Sequence, residues 1–216
     1  MSEPQRKDAA VRRLGVFGGS FDPPHNTHVA LVEAAVKQLQ LDELRVFPTG
    51  QAWHKPRRLS APEHRLAMAR EAFGGLPRVV VDDREMRRPG PTYTVDTLDE
   101  LRAEYPGARI FLLMGADQAA ALPTWHRWRE IMQIATVSIA GRSVSESTAP
   151  ASTVAAAPGV DLSGMAGVQF ETLLLPPTAT SATEIRQRVS ASKGIAHLVP
   201  GGVARYIDQH HLYSAP

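Results

Sequence analysis

The sequence predicts one α/β domain organised as a doubly wound parallel sheet. Three observations carry this. Short, near-continuously apolar runs recur along the chain, as strands covered on both faces require. Helical patterns separate these runs, so β and α units alternate and imply parallel strands joined by crossover helices. A glycine turn, Gly18-Gly19, connects the first apolar run to the first helical pattern.

Taken in order, the first strand is Leu14–Phe17, and a helix over Thr27–Leu39 follows the turn. Leu44–Pro48 reads as the second strand. The helix over Pro62–Phe73 begins at a proline, whose fixed φ suits a first helical position. Val79–Val81 is β-branched throughout, hence a strand. A third helix covers Thr94–Tyr105 and leads to a strand at Ile110–Met114. The helical stretch from Asp117 to Gln133 is interrupted at Pro123, which removes a backbone donor. Strands at Thr136–Ala140 and Gln169–Leu174 flank an Ala-, Ser-, Pro- and Gly-rich connection over 141–167. Ser181 and Glu184 form an S-x-x-E capping box that opens the next helix, and a last helical segment lies near Val203–His210. Residues 1–13 form a polar tail, 14–216 the domain, and no internal repeat is visible. The architecture is Rossmann-like, with ligands expected beyond the carboxyl ends of the strands.

Composition narrows the function classes. A chain of 216 residues buries a core without staples, and with no cysteine it holds no disulfide, thiolate metal site or thiol nucleophile. No apolar run approaches the roughly 18 residues that span a bilayer, and the N-terminal residues lack a signal peptide's apolar stretch. A cytoplasmic protein without membrane association is the expectation. The formal net charge is +2. Arginines cluster only in short groups (Arg57-Arg58, Arg84, Arg87-Arg88, Arg186 and Arg188), so nucleic acid is not an expected partner. A homo-oligomer is compatible with the sequence.

The chemistry concentrates at Gly18-Gly19-Ser20-Phe21-Asp22-Pro23-Pro24-His25-Asn26-Thr27-His28. Glycines let backbone approach an anion, and a helix start presents unpaired N–H groups and a positive dipole end. A spacing of three puts His25 and His28 on one side of the first turn. A second anion site is written at Thr180-Ser181-Ala182-Thr183-Glu184-Ile185-Arg186. There Thr183 and Arg186 share a helix face, and guanidinium grips phosphate oxygens in a fork. Two such sites suit a nucleoside triphosphate.

The first segment resembles the HxGH signature of the nucleotidyltransferase superfamily, with Thr27 where glycine is usual. The longer GGSFDPPH is similar to the bacterial nicotinate-nucleotide adenylyltransferase family. The second resembles that superfamily's ISSTxxR pattern, with Thr180 and Ala182 as departures. Pro91-Thr92-Tyr93-Thr94-Val95-Asp96-Thr97, Gly115-Ala116-Asp117-Gln118 and Pro123-Thr124-Trp125 resemble the same family, and the likeness covers Leu14 to Ala140 and Leu173 to Leu212.

The resemblance implies AMP transfer from ATP to nicotinate mononucleotide, with Mg²⁺ carried by the nucleotide. It makes His25, His28 and Arg186 the catalytic residues. Gly18, Gly19, Ser20, Phe21, Gly115, Asp117, Ser181 and Thr183 would join them in binding ATP. His54, Lys55, Tyr93, Thr94, Trp125 and His126 would bind the mononucleotide, with Trp125 on the pyridine ring. Thr94 and the backbone N–H groups near Trp125 and His126 would take its carboxylate. The alternatives are a nicotinamide-nucleotide or phosphopantetheine adenylyltransferase, or a non-catalytic nucleotide sensor suggested by Thr27. A tRNA-charging enzyme would need a KMSK-like loop, which is not visible.

Overall fold

The computed structural model describes residues 10–50, 59–142, 170–175 and 180–214. Six strands form one sheet in the order β3-β2-β1-β4-β5-β6. They are β1 (Arg13–Gly19), β2 (Glu43–Pro48), β3 (Val79–Val81), β4 (Arg109–Gly115), β5 (Ala135–Arg142) and β6 (Phe170–Leu175). Every neighbouring pair is parallel. All six expected strands are therefore present. The fifth runs on to Arg142, two residues into the expected connection, and the rest of that connection lies outside the described residues.

Helices cover both faces. α1 (Asn26–Gln38), α2 (Pro62–Phe73), α7 (Ala182–Ser190) and α8 (Gly201–Gln209) contribute to one core through Leu31, Val32, Met68, Phe73, Ile185, Val203 and Ile207. α4 (Thr94–Glu104), α5 (Ala116–Ala121) and α6 (Trp128–Ile134) contribute to the other through Val95, Leu98, Ala119 and Ile131. Each long strand feeds both cores by alternation: Phe17 faces the first, while Leu14 and Val16 face the second.

Two local expectations change. The stretch from Asp117 to Gln133 divides into α5, a 3₁₀ turn at Leu122–Thr124 containing Pro123, and α6. A single-turn helix, α3 (Arg84–Arg87), stands between β3 and α4, where no element was expected. No helix among the described residues is long and apolar enough to cross a membrane.

The strand order reverses its winding between β1 and β4, which opens a crevice beyond their carboxyl ends. Gly18-Gly19 ends β1 and Gly115 ends β4, so the two glycine-bearing turns face the same crevice.

Candidate active site

The turn after β1 is shaped by its neighbours. A Cβ on Gly19 would stand 2.9 Å from Phe21 Cζ, whereas one on Gly18 would meet no atom within 4 Å. Gly19 is thus required by packing, and Gly18 leaves backbone open to a ligand. Phe21 adopts a left-handed φ of 46°, uncommon for a bulky residue. Its ring lies edge-on to Phe17 and Phe73, each 5.4 Å away between centroids. With its side chain buried, Phe21 can meet ATP only through backbone, which narrows the role expected for it.

His25 caps α1 and His28 lies in its first turn. Their rings stack at 3.7 Å with 17° between planes, so the expected convergence of the two imidazoles is present. The His25 backbone N–H donates to His28 Nδ1 at 3.3 Å. That bond places the His28 proton on Nε2, a donor suited to a phosphate oxygen. Phe21 lies edge-on against His28 at 5.4 Å and limits its rotation. Thr27 lies inside α1, where backbone needs no glycine. Its buried Oγ1 has no hydrogen-bond partner among the described residues.

Burial pushes the His25 pKa down from 6.5 to about 4. The unfolded chain therefore binds a proton near pH 6.5 that the folded chain refuses until about pH 4. The associated stability is whole above pH 6.5 and drains as pH falls through that window, by about 3 kcal/mol in total. Urea unfolding of wild type and His25→Asn between pH 7 and 4 checks this. The wild type should lose the larger share, and parallel curves would contradict it.

The second signature folds against the first. Ser181 caps α7 by accepting from the Glu184 backbone N–H at 3.1 Å. Arg186 extends from α7 and donates to the backbone carbonyl of Asp22 at 2.7 Å and to Thr183 Oγ1 at 3.1 Å. Residues 164 apart in sequence thus meet at the turn that leads into the histidine pair.

Beneath the turn is a residue that the motifs do not mention. Arg65, 1% exposed, projects from α2 and donates to the carbonyls of Ser20, Thr49, Gly50 and Ser60 at 3.2, 2.6, 3.2 and 3.1 Å. Burial lowers its pKa, opposed by the Asp22 charge. The available signal was positional: the buried residues of α2 are Arg65, Met68, Ala69, Ala72 and Phe73, so an arginine occupies an apolar stripe.

The expected mononucleotide side assembles from α4 and the loop after α5. Tyr93 caps α4, and Thr94 is the first helical residue. The Tyr93 ring packs on His126 at 4.3 Å. Trp125 is partly buried against the second core, and its backbone N–H already donates to the Leu122 carbonyl at 2.9 Å. That N–H is therefore engaged, contrary to its expected use on a carboxylate. Arg127, at φ 51°, pairs with Asp96 at 3.5 Å and Asp99 at 3.6 Å, and so ties this loop to α4.

Behind this region Glu85 of α3 is buried, and burial raises its carboxyl to about 7 against the hydrogen bond from Thr97. Arg84 pairs with Asp82 and Glu104, and Arg88 with Glu100. These ion pairs hold α3 against β3 and α4. Asp117 is exposed in the first turn of α5, after Gly115 as cap. His54 and Lys55 lie outside the described residues.

Residues 16–188 match the family described as cytidylyltransferase-like. Over 203 residues the chain is 53% identical to the "Probable nicotinate-nucleotide adenylyltransferase" of Albidiferax ferrireducens, covering 94% of this chain and 98% of that one. The protein of the same name from Methylibium petroleiphilum is 41% identical over 209 residues, covering 95% and 94%. Among solved structures, Plasmodium falciparum nicotinic acid mononucleotide adenylyltransferase complexed with NaAD superposes with a TM-score of 0.74. It covers 94% of this chain and 97% of its own, and at 17% identity it speaks to the fold alone.

Proposed function

The chain belongs to the cytidylyltransferase-like family, in its nicotinate-nucleotide adenylyltransferase branch, and on that premise we propose that it transfers AMP from ATP to nicotinate mononucleotide. The observation that carries this reading is the meeting of the two signatures, Arg186 on the Asp22 carbonyl beside the stacked His25 and His28.

The mononucleotide's 5′-phosphate oxygen attacks the α-phosphorus of ATP in line. A new P–O bond forms, the bond to the bridging α–β oxygen breaks, and pyrophosphate leaves with that electron pair. The products are nicotinate adenine dinucleotide and pyrophosphate. The attacking phosphate is ionised at neutral pH, so no protein nucleophile is needed, and catalysis rests on positioning and charge stabilisation. His28 Nε2–H donates to the α-phosphate, and His25 supports it by stacking and by binding the phosphate chain. Arg186, Thr183 and Ser181 hold the β- and γ-groups. Gly18, Gly19, Ser20 and the Phe21 backbone line the nucleotide, with Gly115 and Asp117 toward the ribose. His54 and Lys55 take the mononucleotide phosphate, while Tyr93, Thr94, Trp125 and His126 enclose the pyridine ring.

Among the described residues no three His, Asp or Glu side chains gather to hold a metal ion. Mg²⁺ brought by ATP would be held by phosphate oxygens and water and would supply charge neutralisation.

Pyrophosphate release from Mg-ATP, with nicotinate mononucleotide, nicotinamide mononucleotide and phosphopantetheine offered separately, tests the function. Turnover with the nicotinate substrate is expected. Turnover only with another acceptor would discard the pyridine-site roles, and ATP binding without turnover would favour a sensor. Arg186→Ala is expected to lower kcat/KM for ATP about 10- to 50-fold, the scale of one charge-assisted contact. An unchanged value would remove Arg186 from the phosphate site.

A further inference from the structure

Asp22 is the hub of a buried knot that the reaction does not itself require. Asp22 is 1% exposed. One carboxylate oxygen accepts the Tyr213 hydroxyl at 2.6 Å, and the other accepts the Ser60 backbone N–H at 3.2 Å. The backbone carbonyl of the same residue carries Arg186 at 2.7 Å. The carboxylate anchors therefore restrain the residue that presents that carbonyl, and with it the guanidinium.

Tyr213 reaches Asp22 by an unusual path. After α8 ends at Gln209, the chain passes through His211 at φ 48° and Tyr213 at φ 64°. Two non-glycine residues in the left-handed region are costly and persist where surrounding contacts over-determine them. Here the result is a phenol brought 191 residues back along the sequence onto the phosphate turn. Its ring is partly buried against the first core, and its hydroxyl also lies 3.9 Å from Met68 Sδ. Burial and the Asp22 charge raise the phenol's pKa, which keeps it a donor.

We propose that Tyr213 is a positioning residue: through the Asp22 carboxylate it fixes the aim of Arg186 at the triphosphate. The proposal rests on the reading that Arg186 meets the β- and γ-phosphates. It assigns to the C-terminal segment a part in ATP use that its place outside both signatures would not suggest.

A four-way kinetic cycle tests it: wild type, Tyr213→Phe, Arg186→Ala and the double variant, with ATP and nicotinate mononucleotide varied in turn. Tyr213→Phe keeps the ring and removes one hydroxyl. It should lower kcat/KM for ATP about fivefold, the order of one hydrogen bond, and leave KM for the mononucleotide within about twofold. In the Arg186→Ala background the same change should cost less than about twofold, because coupled residues are not additive. Asp22→Asn, which retains the backbone carbonyl, should repeat the pattern. Equal losses in both backgrounds would overturn the proposal and leave the Arg186 reading standing. An unaffected Tyr213→Phe would overturn it as well. If Arg186→Ala alone leaves ATP use unchanged, the phosphate reading fails and the proposal with it.

Discussion

His28→Ala lowers kcat for pyrophosphate release by at least about 100-fold, the scale of losing one preorganised donor at a developing charge. The structure supplies the reasons for so large an effect. The His25 backbone N–H occupies His28 Nδ1 at 3.3 Å, so the ring proton sits on Nε2. His25 stacks on one face at 3.7 Å and Phe21 meets the ring edge-on at 5.4 Å, so the ring is oriented before ATP arrives. Alanine removes donor and orientation together. His28→Asn, which restores a donor at a different reach, should recover only part of the rate. Steady-state kinetics at saturating ATP and mononucleotide decide the matter, and a loss below about fivefold would contradict the role.

Arg65→Met should destabilise the fold by about 3–5 kcal/mol, the cost of breaking a buried charged hydrogen-bond set. Methionine fills similar space but donates nothing to the carbonyls of Ser20, Thr49, Gly50 and Ser60. Those carbonyls belong to the turn after β1, the end of β2 and the approach to α2, so these segments separate together. Arg65→Lys keeps the charge but, as a point donor, cannot span acceptors spread over three segments, and should lose most of the same stability. For a chain of this size the melting temperature should fall by roughly 10 °C. Chemical denaturation of the three proteins checks it. A change under about 1 kcal/mol for Arg65→Met would show that water satisfies those carbonyls.

The expectation that His25 and His28 converge could be written from spacing alone, because three residues is nearly one helical turn. The six strands were legible for a similar reason: Leu14–Phe17 and Ile110–Met114 are apolar enough to be buried on both faces. α3 was not legible, since a single turn of charged residues, Arg84–Arg87, has no periodicity to read. The Asp117–Gln133 interruption was visible at Pro123, but the division into two helices and a 3₁₀ turn depended on how Trp125 and Ile131 pack on the second core. The engagement of the Trp125 N–H by Leu122 is a property of the 3₁₀ turn that forms there, which its type and position in the sequence do not show.

By itself the sequence determined the alternation of strands and helices, the two signature segments and the family to which they belong. Each of these is written in local spacing, which the geometry of one helix turn or one strand converts directly into side-chain placement. The tertiary structure alone decided that Arg186 rests on the Asp22 carbonyl, that Tyr213 reaches the same residue from the C-terminal segment, and that Arg65 closes the ring of carbonyls beneath. Apart from the bond of Arg65 to Ser60, these contacts join residues from 15 to 191 positions apart. No local rule relates such residues, because what brings them together is the burial of two cores on opposite faces of one sheet.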